Sequence, residues 1–456
     1  MVDAIEKNKT YIAVCTSLGS EGEGIVKIEG FTVFVEGLLL GEKAEILITK
    51  VKKSFGYGRI VNIIEPSKER CTPLCPYSNT CGGCSLQHMS YSEQLKFKQN
   101  RVRDCIERIG GFINIDILPA IGMDEPWNYR NKAQYPVGKD KNDKTIIGFY
   151  AKRSHRITDI HSCMLQNSAA DAVISIFRNF IDEFRIPVYD ESKHKGLIRH
   201  VLTRVGFATG EIMVTVVING DKLSHSNELI DRLKEINGLA SVILNINKSN
   251  TNVILGSKCI TLWGKDTIKD RIGDIWFDIS ALSFYQVNPL QTLKLYSLAV
   301  EFAGLTGNET VVDVYCGIGT ISLFAAKKAK SVYGIEVVDR AIEDAKHNAE
   351  INNIINVEFE AGKAEDVLPR MYSDGKRADV IFLDPPRKGC EVSVIDAVCA
   401  IEPDRVVYVS CDPATLARDV RIFAERGYKI DKVQPVDQFC QTTHVETITL
   451  MSRVQK

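Results

Sequence analysis

From about Thr310 the chain alternates near-continuous apolar runs with amphipathic stretches: "TVVDVY", "ISLFAAKKA", "SVYGIE", "RAIEDAKHNAEINN", "VEFEAG", "ADVIFLD" and "DRVVYVS". Strands that are apolar throughout are buried on both faces, and parallel neighbours need a helical crossover to connect them. Regular alternation of the two therefore predicts an α/β unit in which helices cover both faces of a mostly parallel sheet. The runs "YKIDKVQPVD" and "ETITLMS" are expected to add a final pair of strands.

Three strand ends of this sheet carry chemistry. In "VVDVYCGIGTISLFAA" a glycine-rich turn joins a strand directly to a helix, where backbone can approach a ligand at the carboxyl edge of the sheet. A dinucleotide fingerprint needs a third glycine three residues after the second, and Ser322 occupies that place, which argues against a nicotinamide cofactor. Glu336 ends "YGIE", where a carboxylate can accept both hydroxyls of a ribose. Asp384 ends a third strand in "FLDPPRKG", with a rigid Pro-Pro step behind it. Together they predict a pocket for a ribonucleoside-bearing ligand. The order acidic strand, glycine turn, ribose acid and Asp-Pro-Pro resembles class I S-adenosylmethionine-dependent methyltransferases.

Cys411, in "VVYVSCDPATLARD", follows the next strand of the same sheet and precedes a helix. A helix N-terminus is expected to stabilise a thiolate there, which makes this cysteine a candidate nucleophile rather than a core filler. Carbon 5 of uracil is a poor nucleophile, but a thiolate added at carbon 6 turns the ring into an enolate whose carbon 5 can accept a methyl group. The proton at carbon 5 must then leave, which requires a general base. Glu446, read as ionised, is the candidate in "TTHVETITL", with His444 as its competitor.

Ahead of the sheet, residues 11–64 read as short strands between glycine-containing turns, the pattern of a small OB-like barrel. Its last hairpin carries Lys50, Lys52, Lys53 and Arg59 beside Phe55 and Tyr57, a mix that suits phosphates and unpaired bases. Residues 116–278 mix strand-like runs with polar loops and read as an α+β domain. Between these regions Cys71, Cys75, Cys81 and Cys84 form a local four-thiol set with a strong metal signal. The spacing alone leaves zinc and iron–sulfur open.

The balance of the chain narrows its class. With 45% hydrophobic residues among 456 it can fill real cores, and no run approaches the roughly 20 apolar residues needed to span a bilayer. "MVDAIEKNKT" has no apolar stretch after its charges, so no secretory leader is expected and the protein is read as cytoplasmic. Thirteen cysteines, scattered and odd in number, suit reduced thiols or metal ligation better than disulfides. A net charge of −1 gives no global sign of a polyanionic partner.

The motifs "VYVSCDPATLARD", "FLDPPRKG", "FYQVN", "DVYCGIGT" and "HVET" together resemble the RNA uridine-C5 methyltransferase family, which makes 5-methyluridine. The likeness extends over nearly the whole chain, and the N-terminal barrel resembles a TRAM domain. It implies Cys411 as nucleophile and Glu446 as the base. It also implies Gln286, Tyr315, Thr320, Glu336, Lys363 and Asp384 around S-adenosyl-L-methionine. The family's ribosomal-RNA branch carries "CPxxxxCGGC" and one distant cysteine around a [4Fe-4S] cluster. Here Cys75, Cys81 and Cys84 match, with Cys163 in "DIHSCMLQ" as the fourth, leaving Cys71 spare. "WNYRNKAQYPV" also resembles the family, and Arg130 and Lys132 beside Tyr129 are candidates to grip RNA.

The expected architecture is multidomain. An OB-like TRAM barrel spans residues 1–66, and a central α+β RNA-binding domain with the iron–sulfur site spans 67–278. A Rossmann-like class I methyltransferase domain with an antiparallel final strand spans 279–456; a helical segment over about 91–120 is expected to pack with it. The expected function is covalent, S-adenosylmethionine-dependent methylation of a uridine at carbon 5, on 23S ribosomal RNA first and transfer RNA second, by a monomer with no membrane partner. An iron–sulfur oxidoreductase is disfavoured by the lack of a flavin or nicotinamide fingerprint. A non-catalytic RNA binder is disfavoured by the intact set Cys411, Glu446 and Asp384.

Overall fold

Five strands close into a barrel: β1 (Thr10–Leu18), β2 (Gly24–Ile28), β3 (Phe31–Val35), β4 (Lys43–Val51) and β5 (Phe55–Glu65), in the order β1-β2-β3-β5-β4. The structure is a computed structural model describing residues 5–454; residues 1–4 and 455–456, at the outer ends of the first and last expected domains, lie outside it. Alternation makes the barrel: along β4, Ala44, Ile46 and Ile48 point inward while their neighbours face out. Helix α1 (Tyr91–Arg108) follows, with Ser90 accepting the Glu93 N–H at its start.

The central region is built on β6 (Lys132–Lys139), β7 (Thr145–Tyr150), β8 (Ile157–Asp159), α2 (Ala169–Glu183), β9 (Ile198–Val205), β10 (Ile212–Ile218), α3 (Ser226–Leu233), β11 (Leu239–Ile246) and β12 (Lys258–Gly264). Its seven strands run β12-β11-β10-β9-β6-β7-β8. The continuous apolar run of β10, "IMVTVVI", is buried on both faces. One face packs on α2 and α3 through Val214, Val216, Phe177 and Leu229. From the other, Met213 and Ile243 pack on a hairpin of β13 (Thr267–Ile272) and β14 (Ile275–Ser280), and so onto the C-terminal sheet.

The C-terminal unit, expected to be the catalytic unit, comprises α4 (Pro289–Ala303), β15 (Thr310–Val314), α5 (Thr320–Ala326), β16 (Ser331–Glu336), α6 (Asp339–Ile351), β17 (Val357–Ala361), α7 (Ala364–Ser373), β18 (Val380–Leu383), α8 (Val392–Ile401), β19 (Arg405–Ser410), α9 (Pro413–Glu425), β20 (Tyr428–Val436) and β21 (Glu446–Arg453). The sheet order is β17-β16-β15-β18-β19-β21-β20. Five strands are parallel, and β21 enters antiparallel between β19 and β20, as the sequence suggested for the final strand. Helix α1 packs against α9. The chain after α1 runs along β20, bridging Ile117 to Val433 and Ile121 to Val436.

Candidate active site

The register of β19 and β21 brings two distant residues together. Ser410 pairs with Thr447, so one step further along the ladder Cys411 stands opposite Glu446. Cys411 is half-buried just past the strand's end, and Glu446 is buried as the first residue of its strand. Asp384 follows the end of β18, beside β19 on its other side.

The electrostatics differ from the sequence expectation. Burial pushes the Cys411 thiol up to about 11, and the Glu446 and Asp384 carboxyls raise it further while Arg387 opposes them. Helix α9 does begin two residues later, but Asp412 caps it: its Oδ1 accepts the Ala414 and Thr415 N–H groups at 2.9 and 3.1 Å. The positive end of the helix is thus answered by a carboxylate rather than by the thiol. Glu446, read from sequence as ionised, is pushed up to about 8 by desolvation and then by Asp384, against Arg387. Asp384 is raised to about 7 by desolvation and then by Asp313. Three acids at one sheet edge, Asp313, Asp384 and Glu446, thus have raised pKa values, and an arriving cation would favour their ionised forms. His444 opens onto the neighbouring cleft, and desolvation followed by Arg387 and Arg101 lowers its pKa.

The cofactor candidates ring the same edge. Glu336, at the end of β16, accepts the Gly317 N–H at 3.2 Å and the Val338 N–H at 3.0 Å, which holds the glycine turn against the carboxylate. That turn needs its glycines: Gly317 and Gly319 have φ of 55° and 83°, and a Cβ on Gly319 would lie 2.9 Å from Phe359. Tyr315 also takes a left-handed φ, 72°, and its ring packs toward the core beside α8. Thr320 opens α5, and the exposed Lys363 is the N-cap of α7. Gln286 is buried, and its carbonyl accepts from Asn131 Nδ2 at 2.8 Å. A cationic sulfonium and a ribose fit this donor set: Asp384 and Asp313, both buried with raised pKa values and Asp313 with its Oδ1 unpartnered, and Glu336 at the rim.

Sequence reasoning missed several residues here. Asp313 is fully buried, is raised to about 7 by desolvation, and accepts the Ser322 hydroxyl at 2.5 Å. Ser322 had counted only as the residue that breaks a dinucleotide pattern. The signal for Asp313 was an acid inside an otherwise apolar strand just before a glycine turn. Tyr296 on α4, within electrostatic reach of Asp384 and Glu446, and Arg387 beside Cys411 carried no comparable signal.

A cleft of about 1220 Å³ adjoins this edge. Its wall includes Lys50, Tyr57 and Arg59 of the barrel, Arg130 and Lys132 of the centre, and Arg387 and His444 of the catalytic unit. Burial, with Arg204 and Arg130 nearby, lowers the Lys132 ammonium to about 7. Cys75, Cys81, Cys84 and Cys163 also lie on this wall; Cys71 is exposed elsewhere. Desolvation pushes Cys84 up to about 12, and the other three thiols of the set add to the shift. Among the described residues, no three Cys, His, Asp or Glu side chains form a group able to hold a metal ion as they stand. Four thiols on one wall, three of them desolvated and raised in pKa by their neighbours, are a donor set whose thiolate form a metal cation would stabilise.

Among the described residues no helix is long and apolar enough to cross a membrane. Residues 6–61 match the TRAM domain, and residues 90–454 match the tRNA (uracil-5-)-methyltransferase family. A Clostridium tetani protein described as an uncharacterized RNA methyltransferase is 51% identical over 449 residues, covering 98% of this chain and 97% of its own. One from Caldanaerobacter subterraneus, with the same description, is 50% identical over 454 residues, covering 99% and 100%. The crystal structure of Pyrococcus abyssi tRNA (uracil-54, C5)-methyltransferase with S-adenosyl-L-homocysteine superposes with a TM-score of 0.77 at 29% identity, over 96% of this chain and 99% of that one. With the barrel, the seven-stranded catalytic sheet and the acid-lined edge in place, the chain belongs to the S-adenosylmethionine-dependent tRNA (uracil-5-)-methyltransferase family of RNA-modifying enzymes.

Proposed function

We propose that this enzyme methylates carbon 5 of a uridine in 23S ribosomal RNA through a covalent cysteine–uracil adduct, working in the cytoplasm as a monomer. The observation that carries the mechanism is the facing of Cys411 and Glu446 across one ladder, with Asp384 beside them. The target base must leave its stack to reach them. The cleft offers basic groups for the backbone on either side, Lys50 and Arg59 on the barrel and Arg130 in the centre.

Cys411 Sγ adds to carbon 6, and the displaced π pair moves to O4 as an enolate. S-adenosylmethionine supplies an electrophilic methyl on a sulfonium sulfur, which leaves as a neutral thioether. Carbon 5 takes that methyl, Glu446 then removes the carbon-5 proton, and the re-formed enolate expels the Cys411 thiolate. With their pKa values raised, both the thiol and Glu446 hold their protons near neutrality, so one proton must leave this pair before addition. Arg387, which lowers both, favours that loss. Gln286, Tyr315, Thr320, Glu336, Lys363 and Asp384 would hold the cofactor.

Cys75, Cys81, Cys84 and Cys163 would carry a [4Fe-4S] cluster, and this set supports the ribosomal substrate by its resemblance to that branch of the family. Transfer RNA is the second reading, favoured by the named substrate of the Pyrococcus abyssi enzyme. The division of residues into 1–66, 67–278 and 279–456 assigns the RNA grip to the first two segments and the chemistry to the third. Tritium release from carbon-5-labelled uridine, measured on ribosomal and on transfer RNA and followed by mapping of the methylated position, tests the assignment. Release from transfer RNA alone would replace the ribosomal reading.

A further inference from the structure

We propose that Gln94 is a positioning residue for Glu446, joining the cysteine loop to the loop that delivers the catalytic base. The inference rests on the reading of Glu446 given above. Residues 437–445 connect β20 to Glu446, and their backbone is held largely from outside the catalytic sheet. Lys98 Nζ donates to the Phe439 carbonyl at 3.0 Å, Tyr129 Oη to that of Cys440 at 3.0 Å, and Arg101 Nη1 to that of Thr443 at 2.5 Å. The Gln441 carbonyl accepts two N–H groups, from Ser85 at 3.0 Å and Leu86 at 3.1 Å. These two residues directly follow Cys84.

Gln94 stands at the junction. It is 1% exposed. Its Nε2 reaches the Leu86 carbonyl at 3.1 Å, the Met89 carbonyl at 2.9 Å and Gln441 Oε1 at 3.0 Å, while its Oε1 accepts the Gln441 N–H at 3.2 Å. One amide thus binds the cysteine loop, helix α1 and the catalytic loop to one another. Gln441 has a left-handed φ of 67°, a conformation unfavourable for a residue with a side chain, and these bonds hold it there. Lys98 and Asp437 form an ion pair with both side chains out of solvent, and Tyr91 Oη donates to the same Asp437 at 2.8 Å, fixing the other end of the loop. Cys440 packs in one apolar cluster with Tyr129 and Leu165, and two of the four cleft-wall thiols, Cys84 and Cys163, pack against that same cluster.

A base displaced by a fraction of an ångström loses proton transfer, while addition by Cys411, held at the end of β19, proceeds. Gln94→Met, of similar length but without the amide, should therefore lower kcat roughly tenfold with KM for RNA changed by less than about twofold, and should raise several-fold the enzyme–RNA adduct that survives denaturation. Amide exchange across residues 439–446 should quicken in this variant. If Gln94→Met does not fold, Gln441→Gly, which deletes the side-chain tie and frees the backbone, should move the same readouts in the same direction. Unchanged kcat, or a lower kcat with a matching KM rise and no additional adduct, overturns the proposal. Glu446→Gln run in parallel separates it from the reading beneath it. Adduct in Glu446→Gln but not in Gln94→Met defeats the positioning role alone, whereas adduct in neither, with methylation retained, defeats the base assignment and the positioning role with it.

Discussion

Cys411, one residue past the end of β19, faces Glu446, the first residue of the neighbouring antiparallel β21, although 34 residues of helix, strand and loop separate them in the chain. A ladder fixes such a pair more tightly than a loop could, because the rungs leading up to it, Val409 with Ile448 and Ser410 with Thr447, are paired in register and buried.

Removing the thiol removes the step that makes carbon 5 nucleophilic. Cys411→Ala should lower methyl transfer by at least about 1,000-fold while binding of RNA and cofactor is retained, since neither depends on the sulfur. Single-turnover methyl transfer alongside equilibrium binding checks this, and residual transfer near the wild-type rate would exclude covalent catalysis.

Glu446→Gln keeps the shape of the side chain and deletes its basicity. Addition and methyl transfer should proceed and elimination should stall, so a protein–RNA adduct should accumulate on a denaturing gel. Should the adduct form instead in a His444→Ala enzyme, the proton acceptor is His444.

The pH dependence follows from the raised acids. Asp384 and Glu446 have ordinary values of 3.8 and 4.5 and are raised to about 7 and about 8 in the folded protein. Their contribution to stability is therefore full below pH 4 and is lost as the pH rises through 7 to 8. A cationic ligand that favours the ionised forms must release protons on binding. Affinity for S-adenosylmethionine should thus tighten between pH 6 and 8, by up to roughly tenfold per unit below pH 7, and then level off. Calorimetry in two buffers of different ionisation enthalpy measures the protons released; no release would place the cofactor away from Asp384.

The purified protein should be coloured and contain iron rather than zinc. Cys163→Ser should lose most of the visible absorbance and Cys71→Ser should keep it, because Cys163 lies on the cleft wall with Cys75, Cys81 and Cys84 whereas Cys71 does not. A colourless zinc protein, or loss of the metal on changing Cys71, would overturn the ligand set.

Much of the fold was legible because its signals are local. The runs "TVVDVY" and "ADVIFLD" became adjacent strands β15 and β18, and the turn at Gly317 and Gly319 lies at the edge where Glu336 and Asp384 also end their strands. The charge state of the site was not legible. The helix after Cys411 suggested a lowered thiol pKa, but Asp412 takes up the helix's free N–H groups, and burial beside two carboxyls pushes the thiol the other way. Asp313 was overlooked because its partner, Ser322, stands nine residues on and meets it only once β15 and α5 fold back together.

The sequence by itself determined the order of strands and helices and which residues fall at strand ends, since apolar periodicity and turn chemistry are read within a few neighbouring residues. Only the tertiary structure decided which ends meet. The antiparallel entry of β21 beside β19 set Cys411 against Glu446, and Gln94 and Lys98 on α1 came to hold the loop before that strand from more than 300 residues away. Such pairings depend on register and on buried hydrogen bonds between distant segments, and desolvation, which sets the protonation of the three acids, is a property of the packed whole.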